Sequence, residues 1–194
     1  MSPTSTRGRP LVSSREMLQE AAFELFLENT YARTSIDQIA QRAGVSRATF
    51  FNYFPGKSDV FWVDLDESLE RLGPRLAAHS RTPVMTAVVD ALADVARDFG
   101  PSRVPWALTQ YTLIGSVHEL QASAMSRLAT QARLVTTFIA GHGVPEARAR
   151  AAAYAILGAA VAAAQDWAAA GTTRGELGPR LRQALEPVAA GFSA

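Results

Sequence analysis

The chain has 194 residues, of which 48% are hydrophobic and 19% charged, so it can fold around a sizeable core. It contains no cysteine, which excludes disulfides, thiol catalysis and thiolate metal sites. The net charge is only +1, yet Arg7, Arg9 and Arg15 precede the first acidic residue, Glu16. A basic arm is therefore followed by a nearly neutral body, a pattern typical of a local electrostatic contact rather than general attraction to polyanions.

The first third of the chain predicts an arm and three helices. Residues 1–13 are rich in Ser, Thr, Gly and Pro and predict a flexible basic arm. Ser13 or Ser14 can cap a helix that ends near Asn29. A second, short helix begins at Thr34-Ser35, where Ser35 and Gln38 have capping-box spacing, and stops at Ala43-Gly44. A third runs from Ser46 to about Tyr53, before Pro55-Gly56 breaks the pattern.

The remaining sequence also has helical periodicity. A long helix is predicted from Lys57 to about His79, with a kink or split at Gly73-Pro74. Further helices are expected near 83–99, 104–116, 119–141, 145–170 and 175–191. The predicted fold is all-α: a helix-turn-helix domain at 14–56, then a helical body at 57–194, in which residues 57–72 form the connecting helix.

The segment between Thr34 and Tyr53 has the spacing of a helix-turn-helix. Two short amphipathic helices joined by a tight glycine-containing turn can place the second helix in the major groove of DNA. Ile36, Ile39 and Ala40 form an inward stripe on the first helix, and Phe50 and Phe54 lie one turn apart on the second. The same turn also occurs in helical proteins that never bind DNA.

The outward residues carry the chemistry that DNA recognition needs. Arg47 can pair with guanine, Asn52 with adenine, and Ala48 or Phe51 can contact a thymine methyl group. Hydroxyl and ammonium groups suit phosphate oxygens, and a basic arm can enter an adjacent minor groove. The predicted DNA-binding set is Arg7, Arg9, Thr34, Ser35, Ser46, Arg47, Ala48, Thr49, Phe51, Asn52, Tyr53 and Lys57.

The helical body contains many aromatic and sulfur side chains, each of which can equally be ordinary core. Together they are compatible with an apolar pocket, in which His118, Gln121 or Gln131 can serve as polar anchors. The residues predicted to bind a ligand are Trp62, Phe99, Trp106, Tyr111, His118, Met125, Phe138 and Trp167.

The helix at 147–170 is alanine-rich, so another helix can approach it closely. It is either a buried intramolecular helix or, with the last helix, half of a two-fold interface. The candidate dimer residues are Ala151, Tyr154, Gly158, Val161, Gln165, Leu181 and Leu185.

No catalytic or metal-binding constellation is visible in the sequence. The three histidines are far apart, and no phosphate-binding glycine loop follows a strand. Neither an enzyme, a cofactor nor a metal site is expected. With no signal peptide and no apolar run of about 20 residues, a soluble cytoplasmic protein is expected, without membrane contact. The alternative to DNA binding is a helical small-molecule-binding protein, or an enzyme whose groups meet only in space.

The sequence resembles the amino-terminal domain of TetR-family transcriptional repressors. The resemblance lies in AAFELF (21–26), TSIDQIAQRAGVS (34–46) and TFFNYFPGKSDVF (49–61). It implies phosphate contacts for Thr49, Tyr53 and Lys57 and base-facing positions for Arg47, Ala48 and Phe51. It also implies a pocket for an inducer and dimerisation through the last two long helices. The chain departs from the family pattern at Phe51, commonly a tyrosine, and at Thr30, usually a glycine.

A finer resemblance is to the subgroup of mycofactocin-system regulators, carried by 47–72 and by LIGSVHELQASAMSRLATQ. That subgroup is associated with fatty acyl-CoA ligands, which implies a small apolar effector with an acyl chain. The resulting hypothesis is a dimeric repressor that binds a palindromic DNA operator and is released by this effector. A DNA-bound activator without ligand control has the same head and remains a further alternative.

Overall fold

The computed structural model describes residues 14–192, so the predicted arm and its two arginines lie outside the described residues. Within this range the regular elements are helices, apart from one isolated bridge between Gly100 and Arg103. The all-α prediction is confirmed. The chain divides into two compact units, the first ending at Phe61 and the second beginning at Trp62.

The first unit is a small three-helix structure. Helices α1 (Ser14–Asn29), α2 (Ile36–Arg42) and α3 (Arg47–Tyr53) precede a 3-10 turn at Lys57–Phe61. The apolar positions predicted from the helical period do face inward. The buried side chains of this unit include Leu18, Ala22, Leu25, Phe26, Ile39, Ala40, Phe50, Phe54, Val60 and Phe61. A stack of Phe26 on Phe61, with ring centroids 5.4 Å apart, packs α1 against the 3-10 turn.

The turn between α1 and α2 depends on two threonines. Thr30 has φ of 71°, the left-handed conformation that normally falls to glycine after a helix. Its amide still donates to the carbonyl of Phe26 at 3.0 Å. The buried hydroxyl of Thr34 donates to the carbonyl of Thr30 at 2.8 Å and lies 3.2 Å from that of Leu25. The hydroxyl therefore ties the start of α2 to the end of α1.

A surface ion-pair cluster also joins α1 to α2. The Arg42 guanidinium donates to Glu24 at 3.0 Å and to both carboxylate oxygens of Glu28, at 3.0 and 2.7 Å. The hydrogen bond from Arg42 lowers the pKa of Glu28, and the same bonds raise the pKa of Arg42. All three side chains are exposed, so this cluster orients the helices and adds little stability.

The second unit is a helical bundle built around α10. Its helices are α4 (Val63–Leu69), α5 (Leu72–Ala78), α6 (Val84–Val95), α7 (Trp106–Thr109), α8 (Tyr111–Ser116), α9 (His118–Ala140), α10 (Glu146–Ala169) and α11 (Leu177–Ala190). Helix α10 packs against both α9 and α11, and α11 also packs on α6. Its core includes Leu72, Val88, Phe99, Val135, Ile139, Ile156, Trp167, Leu181 and Leu185.

The prediction of one continuous connecting helix at 57–72 is wrong. Lys57–Phe61 is a 3-10 turn in the first unit, α4 begins at Val63, and a break at Glu70-Arg71 separates α4 from α5. The break follows from Pro74, which cannot donate to the carbonyl of Glu70 and would clash with it in a continuous helix. In α5 the same proline lies in the first turn, where no amide partner is needed.

Two other predicted helices are interrupted. The segment near 104–116 is split into α7 and α8 at Gln110, where Thr109 turns its hydroxyl back onto the carbonyl of Trp106 at 2.9 Å. The helix predicted to reach Phe99 ends as an α-helix at Val95 and continues as a 3-10 turn to Asp98.

By length and composition alone, α10 could cross a membrane. The core helix of a soluble protein meets the same criterion, and α10 occupies that position between α9 and α11. This packing covers one side of α10, where Ala152, Ala153, Ile156 and Trp167 are buried within the unit.

Replacing Thr30 with glycine should stabilise the first unit. A β-branched residue in the left-handed conformation costs about 1–2 kcal/mol, and the greater freedom of glycine in the unfolded chain offsets roughly half of that. The expected gain is about 0.5–1 kcal/mol, measured by urea unfolding followed through helix content. The control is Gly44→Ala, which places a Cβ at φ of 70° with no atom within 4 Å and should lose a similar amount. A Thr30→Gly variant that is less stable would contradict the strain assigned here.

Candidate DNA-reading face and apolar cavity

Helix α3 is short, but both of its ends are fixed. The Ser46 hydroxyl accepts from the amide of Thr49 at 3.0 Å and caps the amino terminus. Ser35 caps α2 through a complete capping box with Gln38. Gly44, at φ of 70°, provides the tight turn between the two helices. Because Phe50 is buried, only one orientation of α3 on α2 fits the core.

The exposed side of α3 consists of Arg47, Ala48, Phe51, Asn52 and Tyr53, which we call the α3 face. Phe51 and Tyr53 are 45% and 44% exposed, unusually high for aromatic side chains. Thr49 is half-buried and shares a hydrogen bond of 2.9 Å with Ser46. A rigid helix that presents an arginine, an amide, a methyl group and aromatic edges has the groups required to read base edges.

Arg47 is held in place by its neighbours. It donates to Asp37 of α2 at 2.8 Å, and its guanidinium carbon lies 5.2 Å from the centroid of the Phe51 ring. Both members of the ion pair are more than half exposed, so a base or a phosphate can replace Asp37 at little cost. The pair keeps the arginine on the α3 face before DNA arrives.

Two predicted DNA-binding residues have a different position from the one expected. The Thr34 side chain is buried, and its hydroxyl is used by the α1–α2 turn. The Lys57 ammonium donates to the carbonyls of Tyr31 and Thr34, at 2.8 and 2.9 Å, and lies 4.0 Å from the Tyr31 ring centroid. An ammonium group satisfies turn carbonyls that a helix cannot, which explains the placement of Lys57.

The second unit contains a cavity of about 300 Å³ with mostly apolar walls. It lies among α4 and helices α6 to α11, and Arg127 is the one charged side chain that the described residues contribute to its wall. The other lining residues are Trp62, Leu65, Leu69, Leu92, Val95, Ala96, Ala107, Leu108, Tyr111, Ile114, Gly115, Ala124, Leu128, Gln131, Leu157, Ala160, Val161, Ala164, Gln165, Leu177 and Leu181. Its volume is at the lower limit for small-molecule sites.

The structure brings two of the predicted ligand residues, Trp62 and Tyr111, to this cavity. Gln131 also lines it, as expected for a polar anchor. The other predicted residues do not. Phe99 and Trp167 are core residues, Phe138 packs against His142, and Trp106 is half-buried elsewhere. His118 and Met125, like Gln121, are exposed on α9.

The sequence prediction therefore favoured large aromatic residues, whereas leucine and alanine form most of the cavity wall. Aliphatic positions on α6, α9 and α10 look like core positions in the sequence, because the same helical period marks both. Only the missing packing partner distinguishes a cavity wall from a core, and this is a tertiary property. Arg127 of α9 lies against α4, and no sequence pattern identified it as a residue of the cavity wall.

The candidate dimer residues separate into three groups. Ala151, Tyr154, Gly158 and Val161 are exposed along one side of α10, and we call them the α10 stripe. Leu181 and Leu185 instead face the core, because the apolar side of α11 packs on α6 and α10. Gln165 is half-buried and lines the cavity. A Cβ built on Gly158 meets no atom within 4 Å, so this side of α10 is uncovered in the protomer.

A second, more open depression lies between α6 and α11, with a volume of about 490 Å³. Its walls are charged, and Arg97 and Arg182 bond to Asp94 and Asp90 of α6. The pair between Arg182 and Asp90 joins α11 to α6, whereas Arg97 pairs with a residue three positions before it. Among residues 14–192, no group of three side chains could hold a metal ion.

An exposed helix-turn-helix face and a separate helical body with an apolar cavity define a DNA-binding regulator. The chain belongs to the TetR family of bacterial regulatory proteins: residues 18–61 match the model of that family, and residues 82–193 match the MftR C-terminal domain. Proteins of this family are transcriptional regulators, so the expectation of a regulator rather than an enzyme is confirmed.

Similar proteins agree with this assignment. The mycofactocin biosynthesis transcriptional regulator of Mycobacterium tuberculosis, MftR, whose assignment is provisional, is 27% identical over 164 residues, 82% of each chain. The transcriptional activator FasR of Mycolicibacterium smegmatis is 28% identical and covers 81% of this chain and 74% of its own. The TetR-family repressor FadR of Thermus thermophilus, solved with lauroyl-CoA, has a TM-score of 0.56 at 26% identity, covering 90% and 92% of the two chains.

Lys57→Ala should destabilise the first unit by about 2 kcal/mol, because two turn carbonyls lose a charged donor. Arg47→Ala, which removes an exposed ion pair, should cost less than about 0.5 kcal/mol. Hydrogen exchange of the amides at 30–36 in the full chain provides the measurement, since those amides should exchange faster only in the lysine variant. Unchanged exchange in Lys57→Ala would mean that this lysine does not organise the turn and would restore its predicted phosphate contact as its main role.

Proposed function

We propose that the protein is an effector-controlled transcriptional repressor that binds a palindromic operator as a homodimer. The single observation that carries this proposal is the α3 face, where base-reading groups are exposed on a helix whose caps and buried Phe50 fix its orientation. DNA recognition by such a motif places the second helix in the major groove. The operator lies in the cytoplasm, which is the location expected for the protein.

On the α3 face, Arg47 and Asn52 are the base-reading residues. Bidentate pairing of Arg47 with guanine and of Asn52 with adenine follows from the geometry of their donors and acceptors. The exposed aromatic edge of Phe51 suits a thymine methyl group, and the hydroxyls of Tyr53 and Thr49 suit phosphate oxygens. Arg7 and Arg9 remain predicted minor-groove contacts. Lys57 supports recognition indirectly, by fixing the turn that precedes α2.

The partner in the dimer is a second copy of this chain that covers the α10 stripe. Tyr154 and Val161 are 46% and 45% exposed, which is unfavourable for a surface in water. Small residues between them let two α10 helices approach closely. A two-fold arrangement would give two α3 helices, and successive major grooves on one side of DNA are about 34–36 Å apart.

The effector is a small molecule with an apolar body that enters the cavity of the second unit. A volume of about 300 Å³ has room for roughly ten groups at about 30 Å³ each, the volume of a water molecule. An acyl-CoA-like effector is supported by the similar FadR repressor from Thermus thermophilus, whose crystal structure is a complex with lauroyl-CoA. The apolar walls suit such a chain.

The cavity is connected to the DNA-binding unit through the chain itself. Trp62 lines the cavity and directly follows Phe61, the last residue of the first unit. Leu65 and Leu69 of α4 line the same wall, so an effector that displaces α4 also displaces the end of the first unit. The differential affinity of the effector for the two states limits the size of this response. We propose repression. The alternative is activation, which the same coupling also permits and which the similar protein FasR performs.

The proposed DNA contacts predict how substitutions on the α3 face change the affinity for DNA and the preference for its sequence. Replacing Arg47 or Asn52 with alanine should cost about 1–3 kcal/mol at the preferred operator and should relax preference at one base pair. The measurement is fluorescence anisotropy, against DNA flanking the protein's own gene and against sites selected from random sequence. Binding to the operator should weaken steeply with salt. If Arg47→Ala keeps both affinity and preference, the proposed α3 face is wrong. The control is Arg148→Ala, an exposed arginine of α10.

The proposed dimer predicts a separable effect at Gly158. Gly158→Arg should give a monomer, because an arginine blocks close approach of two α10 helices, while a Cβ at this position meets no atom of its own protomer within 4 Å. Helix propensity favours this replacement, so the protomer should not unfold. Light scattering coupled to size exclusion measures the mass. The matched control, Ala122→Arg on the exposed side of α9, should remain dimeric. A dimeric Gly158→Arg protein would place the interface elsewhere.

A further inference from the structure

The cavity of the second unit has its mouth between α8 and α10. The part of its wall that α6 and α11 supply is buried; Leu92 and Leu181, for example, are 5% and 6% exposed. Among the described residues of the wall, only Tyr111, Gly115 and Val161 are exposed. Tyr111 and Gly115 belong to α8, and Val161 belongs to α10. An apolar chain held in the cavity therefore meets water at these three residues.

Val161 belongs to the mouth of the cavity and also to the α10 stripe. Successive residues are about 100° apart around a helix. By this measure the residues of α10 that line the cavity and those of the α10 stripe are centred roughly 70° apart, and their edges overlap at Val161. A helix that covers the α10 stripe therefore lies directly beside the mouth.

The exposed side of α10 is self-complementary about Gly158. Exposed or half-buried residues lie four, seven and eleven positions before and after this glycine, and steps of three and four keep them on one face. The row consists of Ala147, Ala151, Tyr154, Gly158, Ala162, Gln165 and Ala169. When two such helices cross antiparallel on a two-fold axis at Gly158, each position meets its counterpart. The large ring of Tyr154 then lies against the small Ala162 of the partner subunit.

The same register brings Tyr154 of the partner subunit to the mouth of the cavity, because Val161 directly precedes Ala162. Within its own protomer Tyr154 is 46% exposed and is not part of the cavity wall. The charged head group of an acyl-CoA-like effector is not buried against apolar walls, so its acyl chain has to leave the cavity at the mouth. In one protomer alone the emerging part of this chain would remain in water.

We propose that a second copy of this chain completes the effector site, with the partner subunit's Tyr154 covering the acyl chain where it leaves the cavity. The head group then lies outside, at the edge of the dimer interface. This inference rests on the proposed function, because it requires both the dimer and the apolar effector. Removing roughly 55 Å² of apolar surface from water corresponds to about tenfold in affinity. Effector binding and dimerisation therefore stabilise each other.

The first test is the affinity of the full-length protein for lauroyl-CoA, the ligand of the similar FadR structure, measured by isothermal titration. Tyr154→Ala should weaken binding about tenfold, although Tyr154 does not line the cavity of its own subunit. Monomeric Gly158→Arg should lose at least as much. The matched control, Ala122→Arg on α9, should bind lauroyl-CoA like the wild type. Unchanged affinity in Tyr154→Ala or in Gly158→Arg would overturn the inference.

Mixed dimers show which subunit supplies the ring. Two differently tagged copies are co-expressed, and Ala160→Trp fills the cavity of one of them. With Tyr154→Ala in the same copy as Ala160→Trp, the open cavity of the other copy loses its cover and should bind lauroyl-CoA about tenfold more weakly. With Tyr154→Ala in the copy whose cavity is open, binding should be unchanged. The reverse order would show that Tyr154 acts within its own subunit and would overturn the inference. If Ala160→Trp fails to fold, the Tyr154→Ala homodimer decides.

A DNA-binding measurement separates this inference from the proposed function. Anisotropy of the operator complex is followed as lauroyl-CoA is added to the wild type and to Tyr154→Ala. If lauroyl-CoA releases the DNA from both at the same concentration, the effector-controlled repressor stands and the completion of the site by the partner is wrong. If Tyr154→Ala weakens lauroyl-CoA binding but the ligand leaves the wild-type DNA complex unchanged, the completed site stands and the coupling to repression is wrong. If the wild type binds no lauroyl-CoA, the acyl effector of the proposed function is wrong and this inference is wrong with it.

Discussion

The hydrogen bonds from Lys57 to the carbonyls of Tyr31 and Thr34 are the constraint on which the DNA-binding unit depends. These carbonyls belong to the turn that precedes α2, and the position of α2 determines that of α3. The same lysine begins the 3-10 turn that leads to Trp62, at the cavity wall. Only four residues, 58–61, thus separate a group that fixes the DNA-binding unit from one that lines the cavity.

The α3 face and the apolar cavity depend on different kinds of interaction. The α3 face is polar and charged, and in the proposed DNA complex Arg47 would exchange its exposed pair with Asp37 for contacts to DNA. The cavity is apolar, and its specificity depends on the few polar atoms in its wall. Arg127 and Asp66 are important to the cavity because their pairing leaves no net charge in its wall.

The fold class followed from helical periodicity and helix-terminating residues. Ser35, Gly44 and Ser46 marked the helix-turn-helix because caps and left-handed turns are local properties. The outward residues of α3 followed from the same period, once Phe50 was assigned to the core. The connecting helix was predicted as continuous because its apolar residues keep one period. The sequence predicts a kink or split at Gly73-Pro74, whereas the break lies at Glu70-Arg71, because Pro74 disturbs the carbonyl four residues before it. The 3-10 turn at Lys57–Phe61 is not predicted by the sequence pattern.

The sequence by itself determined the helical architecture, the helix-turn-helix and the exposed side of α3, since each depends on residues a few positions apart. Only the tertiary structure decided that Thr34 and Lys57 face a turn, that Leu181 and Leu185 are core residues, and that aliphatic residues form most of the cavity wall. Those properties depend on which segments meet in space. A helical period records that a side chain faces inward, but whether it meets another side chain or a cavity is decided by the packing of distant helices.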